Sequence, residues 1–119
     1  MKEIYICSPF GRDCAENVEK ATQYSKYVLS FGLAPSAFQM YSHALDLGKP
    51  SEIRLSREVC KRKLWNCEEM WVFGDCVTPE MREEISIFRA IKGAHARVRY
   101  ISEAEIRRFF RRRKRRRRR

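Results

Sequence analysis

Glycine is scarce in this chain, five in 119 residues. Neither a G-x-G-x-x-G turn nor a Walker loop is present, which argues against a dinucleotide fingerprint and against a nucleoside triphosphatase. Histidine is scarcer still: His43 and His95 lie in unrelated contexts, and no Ser-His-Asp order connects them to a nucleophile. The five cysteines, Cys7, Cys14, Cys60, Cys67 and Cys76, are an odd number with no C-x-x-C pair. That pattern fits reduced thiols in a cytoplasm rather than a disulfide framework, and it lacks the close spacing that a zinc site requires. No metal and no cofactor are expected. No apolar run is long enough to span a bilayer, and charged residues begin at Lys2 with no secretory core after them, so the expectation is a cytoplasmic protein without a membrane partner.

Acidic residues are also in the minority, with a net charge of +11. The excess is local. Nine of those charges lie in the unbroken basic run Arg111 to Arg119, which leaves +2 on the first 110 residues. A near-neutral body with a solvated, self-repelling basic tail is therefore expected, a domain over 1–110 followed by a disordered segment over 111–119. The apolar share of 44% is ordinary for a globular chain, and 119 residues suffice for one core but are short for a fully enclosed private site. Completion of a site by homodimerisation or a higher homo-oligomer is an expectation that follows.

What is present is a regular alternation of short apolar runs and helical patterns. Ile4 to Cys7 reads as a first, central strand, and from Asn17 the positions Val18, Ala21, Tyr24, Tyr27, Val28 and Phe31 recur at helical spacing before Gly32. Leu33 to Ala37 reads as a short strand placed near an edge by Pro35, and Phe38 to Ser51 as a surface loop or lid. A second helix starts at Ser51, with Ile53, Leu55, Val59, Cys60, Lys63 and Leu64 along its stripe and Arg54, Arg57, Lys61 and Arg62 on what reads as a solvated basic face. Met70 to Phe73, closed by Gly74, suits a strand buried on both faces. Thr78 then caps a helix with Pro79 at its first position and Met81, Glu84, Ile85, Phe88 and Ile91 along one stripe. Ala96 to Ile101 alternates as a fourth strand, and Ser102 with Glu105 opens a last helix. The alternation predicts a small doubly wound parallel α/β sheet of about four strands, of the Rossmann or flavodoxin-like kind, with flanking helices.

In such sheets the ligand lies beyond the carboxyl ends of the strands. Three segments converge there: Tyr5 with Ser8, Phe10 and Gly11; the loop carrying His43; and Asp75 through Thr78 and Met81 to Glu84. Two carboxylates beside a tyrosine suit glycosyl transfer, in which one acid attacks an anomeric carbon and another handles protons. The structural alternatives are a turn-forming Asp75 and a Glu84 that only complements the helix dipole.

Ile4-Tyr5-Ile6-Cys7-Ser8-Pro9-Phe10, Trp71-Val72-Phe73-Gly74-Asp75, Met81 followed by Glu84-Ile85, and the closing strand Val98 to Ile101 together resemble the nucleoside 2-deoxyribosyltransferase-like superfamily, especially a compact bacterial and phage branch of it. The resemblance implies that Glu84 attacks C1′ of a 2′-deoxynucleoside and holds the sugar covalently, that Tyr5 orients this carboxylate, and that Asp75 serves the base or sugar. Phe10 is positioned by it to stack on the base. Where the family often has glycine just before the Met-x-x-Glu segment, this chain has Glu80, which should repel a 5′-phosphate and favour a nucleoside over a nucleotide. The implied activity is N-glycosidic cleavage or base exchange. The alternative is a non-catalytic protein that binds a nucleotide-derived ligand, or that inhibits or recruits a macromolecule. Arg111, Arg112, Arg113, Lys114 and Arg115 lie outside the resemblance, and their pattern is that of an arm for nucleic acid or an acidic protein.

Overall fold

The computed structural model describes residues 1–9, 14–38, 45–46 and 48–117, with the side chains of 14 and 15 left aside. Its order is β1 (Glu3–Cys7), α1 (Cys14–Leu29), β2 (Ala34–Ser36), α2 (Pro50–Asn66), β3 (Glu69–Phe73), α3 (Pro79–Lys92), a 3-10 turn at Gly93–His95, β4 (Val98–Ile101) and α4 (Glu103–Arg117). The four strands form one parallel sheet in the order β2-β1-β3-β4. The expected α/β architecture is therefore the one observed.

Alternation along the strands sorts the core into two halves. Ile4, Ile6, Trp71, Phe73 and Ile101 face α1 and α4, where they pack with Ala21, Tyr24, Val28 and Ile106. Tyr5, Cys7, Met70 and Val72 face the other way and pack with Leu64 of α2 and with Met81, Ile85 and Phe88 of α3. Period-two side-chain direction makes this division unavoidable once β1 and β3 are paired with Tyr5 opposite Met70. β1 and β3 are the central strands, buried on both faces, while Pro35 sits on the edge strand β2 as its missing N–H requires. The strand order reverses direction between β1 and β3, so the crevice of an open α/β sheet falls at their carboxyl ends.

Among the boundaries that differ from the sequence expectation, three have a clear physical cause. α2 begins at Pro50 rather than Ser51, because proline serves at the first helical position, where no N–H is required. β4 begins at Val98, since Gly93 to His95 form a turn and Ala96 is spent closing it. The last helix does not stop at the basic run: the segment expected to be a disordered tail is helical as far as Arg117, and residues 111–117 are all exposed. Arginine is a good helix former, and cations at a helix carboxyl end are favourably placed against its dipole. α3 is capped as expected, with the Met81 N–H donating to the Thr78 hydroxyl oxygen at 3.2 Å.

Candidate active site

Tyr5 is carried by a central strand and Glu84 by the second turn of α3, and the packing of α3 against β1 brings them together. Met81, one turn before Glu84, is buried beside Tyr5 and Cys7 and fixes the rotation of α3. With Met81 inward, Glu84 lies on the same side of the helix, while Glu83 is exposed. The two groups act on each other: the Tyr5 hydroxyl, by hydrogen bonding, favours the charged form of the Glu84 carboxyl, and the carboxyl in turn raises the Tyr5 pKa.

A cleft of about 540 Å³ lies between α2 and α3, with Glu84 in its lining. Phe38 and Ile53 give it apolar surface, Arg57 and Lys61 bring positive charge, and Glu80 and Glu83 join Glu84 on the opposite wall. Cys60 lines it too, with its sulfur 3.2 Å from the Tyr5 hydroxyl oxygen.

Burial is the largest influence on Glu84, pushing its pKa up to about 7. Tyr5 pulls it down, and the negative charges of Glu83 and Glu80 raise it again. Its Oε2 atom is shut off from solvent and has no hydrogen-bond partner among the described residues. An unsatisfied buried carboxylate oxygen is costly, which is the same physics that lifts the pKa. The group is poised between acid and base near neutrality, a property found preferentially where side chains do chemistry. Burial also raises Tyr5 well above the ordinary phenol value, so it stays protonated and able to donate. The Cys60 thiol is pushed up to about 11 by burial first and by Glu84 second, and it is not a nucleophile at neutral pH.

The remaining residues singled out from sequence divide clearly. Asp75 does not meet Tyr5 and Glu84 in the cleft. Gly74, at φ +102, turns the chain after β3, and Asp75 Oδ1 accepts the Glu103 N–H at 3.2 Å at the start of α4. Thr78 acts as the cap of α3, and Met81 is core, 1% exposed. Ser8 is buried just past β1. Phe10, Gly11 and His43 lie outside the described residues. Among the described residues, no three His, Cys, Asp or Glu side chains cluster so as to hold a metal, and no helix is long and apolar enough to cross a membrane.

The contributions of α2 escaped the sequence reading. Ile53, Arg57, Cys60 and Lys61 were divided there between a core stripe and a solvated face, yet only Leu64 of this helix is fully buried. The signal was available in the spacing: residues 53, 57, 60 and 61 share one helical face, and a mixed apolar and basic face of that kind fits a cleft wall as well as a surface.

A family model described as a domain of unknown function, DUF7768, matches residues 2–101. The chain belongs to that family. The matched span of this DUF7768 domain takes in all four strands and helices α1 to α3, with Tyr5, Cys60 and Glu84, and ends just before α4. No curated protein matches it by sequence. Among solved structures it is similar to a 2-deoxyribosyltransferase from Bacillus psychrosaccharolyticus, with a TM-score of 0.67 and 13% identity over 84% of this chain and 72% of the other. At that identity the likeness is one of fold.

Proposed function

We propose that the DUF7768 domain acts on the N-glycosidic bond of a nucleoside-like ligand, with Glu84 as nucleophile and Tyr5 as the residue that orients and ionises it. The observation that supports this reading is Glu84 in the wall of a ligand-sized cleft, its carboxyl raised by burial to a pKa of about 7 and pulled back towards the ionised form by Tyr5. A bond forms between a Glu84 carboxylate oxygen and C1′ of the sugar as the C1′–N bond breaks. The bonding pair leaves with the base nitrogen, which takes up a proton from solvent water in the open cleft, and the proton released by the second nucleophile returns to solvent. Water, or the nitrogen of a second base, then displaces the carboxylate from C1′ and gives hydrolysis or exchange. The hydrogen bond from Tyr5 favours the ionised form that attacks. Asp75 is not given the assisting role first expected of it, because its carboxylate is engaged by α4. Glu80 and Glu83 are the other acids of the cleft, and Arg57 and Lys61 add positive charge that would meet anionic parts of a ligand, so a phosphorylated ligand stands beside a nucleoside as a candidate.

The test is incubation of the protein with a panel of 2′-deoxynucleosides, their 5′-phosphates and free bases, followed by chromatography, with Glu84→Ala alongside. Intact-mass measurement after acid quench adds a direct readout, a glycosyl adduct that the variant lacks. Equal turnover by Glu84→Ala would exclude the nucleophile.

A second reading, ligand binding without chemistry, is favoured by the position of Asp75, which leaves the cleft without the acid the resemblance assigns to the base. Protection from thermal unfolding by a nucleoside recovered chemically intact would select it.

A further inference from the structure

On the face of the sheet opposite the Glu84 cleft, α1 and α4 enclose a second groove of about 350 Å³. Tyr27 and Phe31 line it from α1 and the turn after it, and Glu105, Arg108, Phe109 and Arg112 line it from α4. Its aromatic content is ordered. Tyr27 meets Phe31 and Phe109 edge to face at 5.1 and 5.3 Å, which leaves Phe31 half exposed at 50%. The Arg99 guanidinium lies 5.5 Å from the Phe31 ring and 4.8 Å from the Trp71 ring, and that of Arg113 is 5.5 Å from Phe109. Among the described residues Glu105 is the only acid in the groove lining, and it bears on the Tyr27 phenol, whose pKa burial raises first.

Charge runs outward from this groove. α4 holds nine arginine and lysine residues between Arg107 and Arg117 against two glutamates at its start. Among the described residues, neither these nine nor Arg99 stands in an ion pair. Like charges three and four positions apart repel along a helix, so the segment gathers counterions that a polyanion would release. An acidic protein would satisfy the charge alone. It would leave unused a half-exposed ring and the guanidinium that lies over it, the two kinds of planar surface on which an unpaired base stacks. A duplex hides its base faces and could not use that ring.

We propose that the α1–α4 groove and the α4 cations continuing it form a binding surface for single-stranded nucleic acid, with phosphates along α4 and a base stacked on Phe31 beside Arg99. The surface lies across the sheet from the Glu84 cleft and is independent of the glycosidic reading.

Fluorescence anisotropy on the full chain tests it, with labelled oligouridine RNA, oligothymidine DNA, a duplex of the same length and polyglutamate at several salt concentrations. Single strands are expected to bind more tightly than the duplex, with log affinity falling against log salt by about 0.7 for each phosphate contacted. Phe31→Ala should weaken single-strand binding on the order of tenfold, and Phe31→Trp, which keeps a stacking face, should retain it. A preference between the two single strands identifies RNA or DNA as the ligand, and equal affinity assigns both. Glutamine in place of the basic residues from Arg111 to Arg117 should flatten the salt dependence. Equal affinity for single strand, duplex and polyglutamate would overturn the proposal, as would Phe31→Ala binding single strands like the parent. Polyglutamate bound more tightly than either nucleic acid would reassign the surface to an acidic protein.

Discussion

The Tyr5 hydroxyl lies 3.2 Å from the Cys60 sulfur and favours the charged form of the Glu84 carboxyl, against the burial that raises the Glu84 pKa most. A phenol has one proton to give and lone pairs to receive. The Cys60 thiol, protonated at neutral pH with its pKa near 11, can donate to the phenol oxygen and leave the phenol proton for Glu84. β1, α2 and α3 each supply one member of this chain.

Removing the hydroxyl should therefore be felt at Glu84. In Tyr5→Phe the hydrogen bond that favours the carboxylate is gone, while burial and the charges of Glu83 and Glu80 remain. The Glu84 pKa should rise above its value of about 7. A carbon-13 carboxyl titration by NMR reads this directly. In a glycosidic assay, the rising limb of the rate against pH should move the same way, since the ionised form attacks. A pKa that stays or falls would separate the two residues.

The same carboxyl makes stability depend on pH in an unusual direction. Its pKa in the folded chain, about 7, lies above the reference value of 4.5, so the folded state holds the proton more tightly than the unfolded state. Stability from this group is fully present below about pH 4.5 and is lost as pH rises through about 7. Glu84→Gln keeps the shape of the protonated acid and cannot ionise. It should be close to neutral at pH 5 and stabilising at pH 8.5, on the order of 1–3 kcal/mol. Urea unfolding at both values checks it; a variant less stable at the higher pH would contradict the burial account.

Asp75 should behave as a residue of the fold. Its carboxylate accepts the Glu103 N–H at the start of α4, where the helix would otherwise leave a donor unmet and where negative charge is favoured. Asp75→Ala should lower stability by about 0.5–2 kcal/mol, and Asp75→Asn, which keeps an oxygen acceptor, by less. Thermal unfolding measures both. Glycosidic turnover of the folded Asp75→Ala protein should match the parent, and its loss would return Asp75 to the site.

Much of this arrangement was legible from the residues, and the limits have physical causes. Apolar runs such as Ile4 to Cys7 and Met70 to Phe73 identify buried central strands because few other elements bury both faces, and Thr78-Pro79 marks a helix start through two independent preferences. The face to which Tyr5 points follows from period two, and its meeting with Glu84 from the rotation that Met81 imposes. The partner of Asp75 is not legible in the sequence, because a strand-to-helix loop says which end of the sheet an acid occupies and not which side. The turn at Gly74 sends it towards α4, a contact between residues 28 apart that no local pattern encodes. Cys60 and Lys61 were hidden for the converse reason: a helix that buries only Leu64 fully has no single apolar stripe by which to orient its faces.

The stack of Tyr24 on Phe73 ties β3 to both helices on that side of the sheet, and it offers the sharpest test of how the fold coheres. The rings lie 4.4 Å apart and 14° from parallel, and both are buried, at 1% and 0% exposure. The Tyr24 hydroxyl also donates to Glu103 Oε1 at 2.5 Å, so one side chain of α1 joins the end of β3 to the first turn of α4. Burial first, and then Glu103, raise the Tyr24 phenol above its usual pKa, which keeps that proton in place. Phe73→Ala removes a fully buried ring and should cost about 3–5 kcal/mol, a large share of the roughly 5–15 kcal/mol by which domains of this kind are stable. Tyr24→Phe keeps the ring and loses only the bond to a charged acceptor, about 1.5–3 kcal/mol. Because Asp75 and Tyr24 both act on Glu103, Asp75→Ala combined with Tyr24→Phe should deviate from additivity in urea unfolding, whereas Asp75→Ala combined with Leu64→Ala, in the opposite core, should add. Additive behaviour of the first pair would mean that the two contacts to Glu103 hold α4 independently.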